Sequence, residues 1–355
     1  MTRIAVIPGD GIGREVTGEA TRVLRAVAAV HGIDLDLVDW ELGAERYLER
    51  GVTITDAEFR SLADEHDAIL LGALGDPRVP GHEHARDILL GLRFRLDLYV
   101  NYRPCVLLDP SHCPLRGSDR AIDIHVFREN TEGAYVDMGG ILRRGTPDEV
   151  AIQEDVNTRK GVERIVRVAF DFARRRGMES VTLVDKANAM PAAGGLWRRV
   201  FEEVGEEYDL LRNAVYVDAM AMDLVRRPER YSVVVASNLF GDMVSDLAAE
   251  IAGGLGLAPS ANVHPGGHAL FEPVHGSAPD IAGTGTANPL GAIRCTALLL
   301  EYFGHVDAAI AVERAVRASL AEGPRTPDVG GRARTADVGE WIAGHVEAHP
   351  PRAEE

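Results

Sequence analysis

The stretch "IPGDGIGREV", Ile7 to Val16, sets three glycines, Gly9, Gly11 and Gly13, between a short apolar run and a helical pattern. Ile4 to Ile7 reads as a strand, and Val16, Ala20, Val23, Val27 and Val30 recur at spacings of four and three, the stripe of an amphipathic helix that Gly32 stops. A strand, a glycine turn and a helix is also how a dinucleotide-binding unit begins. The Gly-x-Gly-x-x-Gly spacing, whose third glycine lets the helix pack on the strand below a pyrophosphate, is absent here. The stretch is therefore read as a tight strand-to-helix turn and not as a Rossmann fingerprint.

Outward from that turn, "IDLDLVDW" alternates apolar and acidic positions as a half-buried strand does. "HDAILLGALG" is a continuous apolar run, the pattern of a strand covered on both faces. This is αβ alternation, and the fold class is α/β. After Pro104 the pattern changes: "AIDIHVFRENTEG" alternates as a strand, "GGILRRGTPDEVAIQEDV" reads as an extended hairpin arm, and "GVERIVRVAFDFARRRG" as a helix closed by Gly177. "SVTLVDKAN" and "YSVVVASNLFGD" each read as a strand feeding a polar loop, the place where open α/β sheets bind ligands. The segment from Gly253 to Pro289 holds eight glycines and is read as one long functional loop.

At 355 residues the chain can form two lobes, each with its own core. A net charge of -17 argues against a nucleic-acid surface, because phosphate contacts need clustered Lys and Arg. No run of about 18 apolar residues occurs, so no membrane association is expected. The three cysteines, Cys105, Cys113 and Cys295, lack metal-type spacing and cannot all pair, which points to a reducing cytoplasm.

In "NLFGDMVSD" Asp242 and Asp246 stand four apart at the start of a helix and project from one face, a geometry suited to oxygen ligation of a hard divalent cation or to simple complementing of the helix dipole. Arg93, Arg95 and Arg103 cluster in "LRFRLDLYVNYRP", and Arg128 follows in "VFRENTEG"; arginine forks are what a dicarboxylate site needs. Tyr135 and Lys186 add a candidate pair for proton handling.

"IPGDGIG", "LR" before "VNYRP", "RENTEGAY", "VDKAN", "VDAMAMDLV", "SNLFGDMVSDL", "FEPVHGSAPDIAGTGTANP" and "RTPDVGG" follow one another in an order that resembles the metal-dependent β-decarboxylating dehydrogenases, the isocitrate and isopropylmalate dehydrogenase family, from about Arg3 to Val346. The resemblance implies a two-lobed fold with a continuous central sheet that is not a Rossmann fold. Residues 1–98 and 254–355 would form the first lobe, and 99–253 the second, with the metal acids, dimer interface and hairpin arm. It implies NAD bound by the late loop at His275, Gly276, Asp280 and Asn288, with Ile12 a further contact. An acid at Asp280 accepts from a ribose 2′-hydroxyl and repels a 2′-phosphate, which favours NAD over NADP.

By the same resemblance Arg93, Arg103 and Arg128 hold the carboxylates of a 2-hydroxy acid, and Asp218, Asp242 and Asp246 hold Mg2+ or Mn2+. Lys186 starts the base relay, and Tyr135 protonates the carbon that loses CO2. Lys186 and Asp218 are expected from the neighbouring subunit, which makes the enzyme a homodimer clasped by the arm. The presence of all three acids, the lysine and the tyrosine speaks against a non-catalytic regulatory subunit.

The same resemblance places Leu89 and Leu90, four and three residues before Arg93, against the variable group of the substrate, and two leucines there favour an apolar branch such as isopropyl. Related tartrate and D-malate enzymes share the paired leucines. Arg86 would suit a further anionic group, as in homoisocitrate-type enzymes, or would face solvent beside Asp87.

Overall fold

The computed structural model describes residues 1–116 and 121–351, which divide into two compact units. The first comprises Met1–Leu98, the described part of Leu107–Asp119 and the chain from Ala252 onward; the second comprises Tyr99–Val106 and the described residues up to Ile251.

The first unit opens with β1 (Thr2–Gly9), α1 (Gly13–His31), β2 (Leu35–Asp39), α2 (Ala44–Arg50), α3 (Asp56–Glu65) and β3 (Ala68–Ala73). Val16, Ala20, Val23 and Val27 are fully buried on one side of α1, as their spacing requires, and Gly32 ends the helix at φ 64. All six residues of β3 are buried, as its unbroken apolar run predicts. Short helices α4 (Glu83–Ala85) and α5 (Gly91–Arg95) are joined by a π turn, Arg86–Leu90, in which Gly91 N–H donates to Arg86 O.

The second unit contains β4 (Val100–Val106), β5 (Asp123–Glu129), β6 (Gly139–Leu142), β7 (Val150–Gln153), α6 (Arg159–Arg176), β8 (Ser180–Asp185), α7 (Pro191–Gly205), β9 (Leu211–Tyr216), α8 (Val217–Arg226), β10 (Val233–Ala236) and α9 (Asn238–Ile251). Its sheet runs β4-β5-β10-β8-β9, antiparallel at β4-β5 and parallel from there on. β6 and β7 form a separate antiparallel hairpin with every residue exposed. Register sets Leu142 directly across from Val150, so these two and Ile152 share one face.

The chain then returns to the first unit with β11 (Pro259–Val263), β12 (Ala269–Pro273), α10 (Leu290–Tyr302), α11 (Val306–Glu322) and α12 (Thr335–Ala348). The strands here run β2-β1-β3-β12-β11, parallel except for the β11-β12 pair, and α1 packs on α10 and α12. No helix among the described residues is long and apolar enough to cross a membrane.

Two expectations need correction. The segment Gly253 to Pro289 is not one loop: β11 and β12 pair within it, both almost wholly buried. Their flanking prolines and the glycines of the turn between them hid two short strands. The boundary near residue 99 is also less simple, because the segment after β4 belongs with the first unit. There Arg317 Nη1 donates to Leu108 O at 3.1 Å, and His112 Nε2 donates to Val329 O at 3.3 Å.

Candidate active site

In the first unit, the glycine turn and the late loop are in contact. Gly9 and Gly11 have φ of 73° and 52°, and a Cβ on Gly11 would stand 2.1 Å from Ser277 O. Ile12 N–H donates to the same oxygen at 2.9 Å, and the Ile12 side chain is only 5% exposed. Ile12 therefore docks the loop through its backbone, with its side chain in the core.

The loop is braced from several sides. Glu15 accepts from Gly283 N–H at 2.5 Å, and Thr335 N–H donates to Gly285 O at 2.9 Å. Asn288 donates to Asp328 Oδ2 at 2.8 Å and accepts from Leu290 N–H at 3.0 Å, so its amide is spent on the start of α10. His275 Nδ1–H donates to Gly276 O at 3.0 Å, since a carbonyl only accepts, and burial holds the imidazole below its ordinary pKa. Neutral His275 thus carries its proton on Nδ1 and its lone pair on Nε2. Gly276 and Asp280 are exposed on the same loop.

Leu89 and Leu90 lie half-buried on the π turn, Leu89 against the core that contains Ile88 and Leu92. Arg93 on α5 is 7% exposed; its Nη2 donates to Glu272 Oε1 at 2.7 Å, and Asn262 donates to that oxygen at 2.8 Å. Glu272 and Asp328 lie inside recognised motifs but carried no signal of their own, because a bracing carboxylate looks like any other acid in sequence. Arg95 turns elsewhere, pairing with Asp56 at 2.9 Å and stacking on Phe59. Arg86, at the start of the π turn, is exposed.

In the second unit, strand pairing and α9 bring charges of both signs together. Arg103 on β4 and Arg128 on β5 are 7% and 2% exposed. Arg128 Nη1 donates to Asp242 Oδ1 at 2.6 Å, and its Nε and Nη2 reach Asn238 Oδ1. Arg103 Nη1 contacts Asp246 at 2.8 Å, Asp242 at 3.1 Å and Ser245 Oγ at 2.9 Å. The one-turn spacing on α9 puts both carboxylates on one face, as the sequence predicts, and there a single Arg103 nitrogen meets both. Tyr135 donates to Asp242 Oδ2 at 3.0 Å, and burial and then the Asp242 charge push its phenol up, which keeps the proton on oxygen at neutral pH. Burial also raises the Asp246 carboxyl against the pull of Arg103.

Lys186, after β8, ion-pairs with Asp218 on α8, and this contact holds the Asp218 carboxyl below its usual range. Asp218 does not join Asp242 and Asp246 within the chain, and no group of three metal-ligating side chains occurs among the described residues. The donor chemistry of Asp242 and Asp246 nevertheless fits a hard divalent cation: both offer carboxylate oxygen, from adjacent turns of one helix.

This arrangement, arginine forks beside paired carboxylates in an α/β frame, is that of an enzyme for small anionic substrates. The sequence profile of the isocitrate/isopropylmalate dehydrogenases matches residues 3–342. The chain is 49% identical over 348 residues to the 3-isopropylmalate dehydrogenase of Thermobifida fusca, covering 97% of both, and 48% identical over 350 residues to that of Corynebacterium kroppenstedtii, covering 98% and 100%. Isocitrate dehydrogenase from Methylococcus capsulatus superposes with a TM-score of 0.89 at 38% identity, over 98% of this chain and 100% of that one. A β-decarboxylating dehydrogenase from Thermococcus kodakarensis gives 0.81 at 40%, over 98% and 97%. The chain belongs to the isocitrate/isopropylmalate dehydrogenase family, and is an oxidoreductase of its decarboxylating class.

Proposed function

We propose that the protein is an NAD-dependent 3-isopropylmalate dehydrogenase that oxidises and decarboxylates its substrate to 2-oxoisocaproate in leucine synthesis. The observation that carries the choice of substrate is the pair Leu89 and Leu90, half-buried on the π turn ahead of buried Arg93. An apolar wall there rewards an isopropyl branch by about 2 kcal/mol, or roughly 25-fold in preference. The names of the relatives above support the same substrate.

Arg93, Arg103 and Arg128 orient the two carboxylates. Their burial favours charge-assisted contacts over solvation by water. Asp242 and Asp246, with Asp218 of a neighbouring subunit, would hold Mg2+ or Mn2+; His275, Gly276 and Asp280, with backbone at Ile12 and Asn288, would line the NAD site. Bound there, the cation would supply Lewis-acid stabilisation of developing negative charge and the dinucleotide a hydride acceptor. Lys186 Nζ, also from the neighbour, begins the relay that removes the 2-hydroxyl proton. Tyr135 Oη delivers a proton to the carbon that has lost CO2, a task suited to a phenol kept protonated.

Sharing of Lys186 and Asp218 makes the active unit a homodimer, with the exposed β6-β7 hairpin as its clasp. A two-stranded hairpin alone is marginal in water, and burial of Leu142, Val150 and Ile152 would stabilise it. We place the enzyme in the cytoplasm, where its three free cysteines stay reduced.

Exposed Arg86 favours one second reading, a malate with a further anionic group, as in homoisocitrate-type dehydrogenases, while the paired leucines are equally compatible with a tartrate or D-malate dehydrogenase. NADH formation with Mg2+ or Mn2+, compared across 3-isopropylmalate, D-malate, tartrate, isocitrate and homoisocitrate, decides between them. A higher kcat/KM for any of the others would overturn the leucine argument.

A further inference from the structure

In the first unit a buried histidine hangs the substrate-facing segment from the glycine turn. His84 on α4 is 0% exposed, and its Nε2 lies 2.8 Å from Asp10 Oδ2. A carboxylate only accepts, so Nε2 carries the proton. Asp10, in the turn between β1 and α1, also accepts from Gly75 N–H at 2.8 Å and, through Oδ1, from Ala44 N–H at 2.7 Å. The fit is close: a Cβ on Gly43 would stand 2.6 Å from Asp10 Oδ1. One buried carboxylate therefore ties together the glycine turn, the start of α2, the loop after β3 and α4. Tyr47 covers the imidazole, stacked at 6.1 Å, and its hydroxyl donates to Glu83 at 2.9 Å.

The backbone N–H groups of Gly75 and Ala44 account for the Asp10 carboxylate, but its bond to His84 is by itself a weak source of stability, because buried polar pairs often yield to apolar ones without loss. His84 Nδ1, moreover, is buried without a hydrogen-bond partner among the described residues. What the pair supplies is direction. Downstream of His84 the segment is held by Ile88 and Leu92, both in the core, and apolar contacts permit rotation and sliding that a hydrogen bond does not. The π turn, Arg86–Leu90, begins two residues after His84 and contains Ile88, and it presents Leu89 and Leu90 between the two apolar anchors. A π turn is a rare form, found mostly as a single turn within α-helical segments and often at functional sites. Freed at His84, it can wind into an ordinary α turn, which rotates Leu89 and Leu90 relative to what precedes them.

We infer that His84, held by Asp10, is a positioning residue that sets the substrate specificity of the enzyme by fixing the π turn of Leu89 and Leu90. The inference rests on the proposed role of these leucines. His84→Leu is expected to raise KM for 3-isopropylmalate about tenfold while kcat changes by less than about threefold, and to lower the preference for 3-isopropylmalate over D-malate about fivefold or more. His84→Gln, which keeps a donor near the place of Nε2, should restore both. Loss of folded enzyme alone would lower apparent kcat and leave KM and the preference where they were. Should His84→Leu not fold, His84→Asn, too short to reach Asp10, is compared with His84→Gln in its place. Unchanged KM and preference in a folded variant without the bond, or equal values with and without it, would overturn the inference. A wild-type enzyme inactive on 3-isopropylmalate would overturn the functional reading instead; the same comparison on the substrate it does use would still test His84.

Discussion

Arg103 and Asp246 are joined by an ion pair, Nη1 to Oδ1 at 2.8 Å, and the same nitrogen stands 3.1 Å from Asp242. An arginine proposed for the substrate thus rests on carboxylates proposed for the metal. A cation that takes up these carboxylates frees guanidinium donors for an anion, so metal and substrate should each strengthen binding of the other. KM for substrate is expected to fall as Mn2+ is raised, and a KM independent of Mn2+ would break the link.

Replacing Asp246 by Asn removes one of the two negative charges beside Arg103 and turns a proposed carboxylate ligand into a neutral amide. The half-saturating Mn2+ concentration should rise by about tenfold or more, with turnover lower by about two orders of magnitude. Metal titration of activity, with the dimer checked by light scattering, measures it. An unchanged Mn2+ dependence removes Asp246 from the metal shell.

Asp280 stands exposed on the late loop, where its charge would meet a 2′-phosphate. Asp280→Lys with Ile281→Tyr should therefore move the ratio of kcat/KM for NAD over NADP toward NADP by about a hundredfold. Steady-state rates with both cofactors decide it, and a static ratio would place the ribose elsewhere.

The shared apolar face of the hairpin gives a test of the dimer. Leu142→Asp with Ile152→Asp puts two like charges on that face, next to Val150. Light scattering should show half the mass, and activity should fall with it because Lys186 and Asp218 would no longer reach a partner. A double variant that remains dimeric and active would assign the clasp to another surface.

Glu58 caps α3 through Thr55 and pairs with Arg46 at 2.6 Å. The Arg46 guanidinium, aided by Thr55, holds its carboxyl down at about 2. A folded-state pKa below the unfolded one stabilises the protein above the unfolded value and ceases to do so as pH falls through the folded value. Glu58→Gln should thus be less stable than the parent at pH 7, with the difference closing as pH is lowered from about 4.5 toward 2. Melting curves across that range check the window; a gap that widens in acid would reverse the sign.

Where residues carried their own pattern, the sequence was readable. The stripe of α1, the unbroken β3, the helix ended by Gly177 and the one-turn spacing of Asp242 and Asp246 all follow from periodicity and stopping signals. β11 and β12 were not readable, since five-residue strands between prolines and glycines are too short for a period to show. The same holds for Glu272 behind Arg93, Asp328 behind Asn288 and His84 behind the leucines. Their meaning lies in contacts between residues 179, 40 and 74 positions apart, for Arg93–Glu272, Asn288–Asp328 and Asp10–His84, which no local spacing encodes. The π turn is equally silent, since no local spacing marks it.

The Lys186–Asp218 pair has a chemical consequence outside turnover. Lys186 and Lys160 are the only lysines in the chain, and every other side-chain cation of that class is an arginine. Aldehydes, activated esters and other amine-seeking reagents therefore find only two ε-amino groups on the protein, one of them proposed for the active site. Acylation or imine formation, which on most surfaces is scattered labelling, would on this chain be confined to Lys186, Lys160 and the Met1 α-amine, while its arginines stay unmodified.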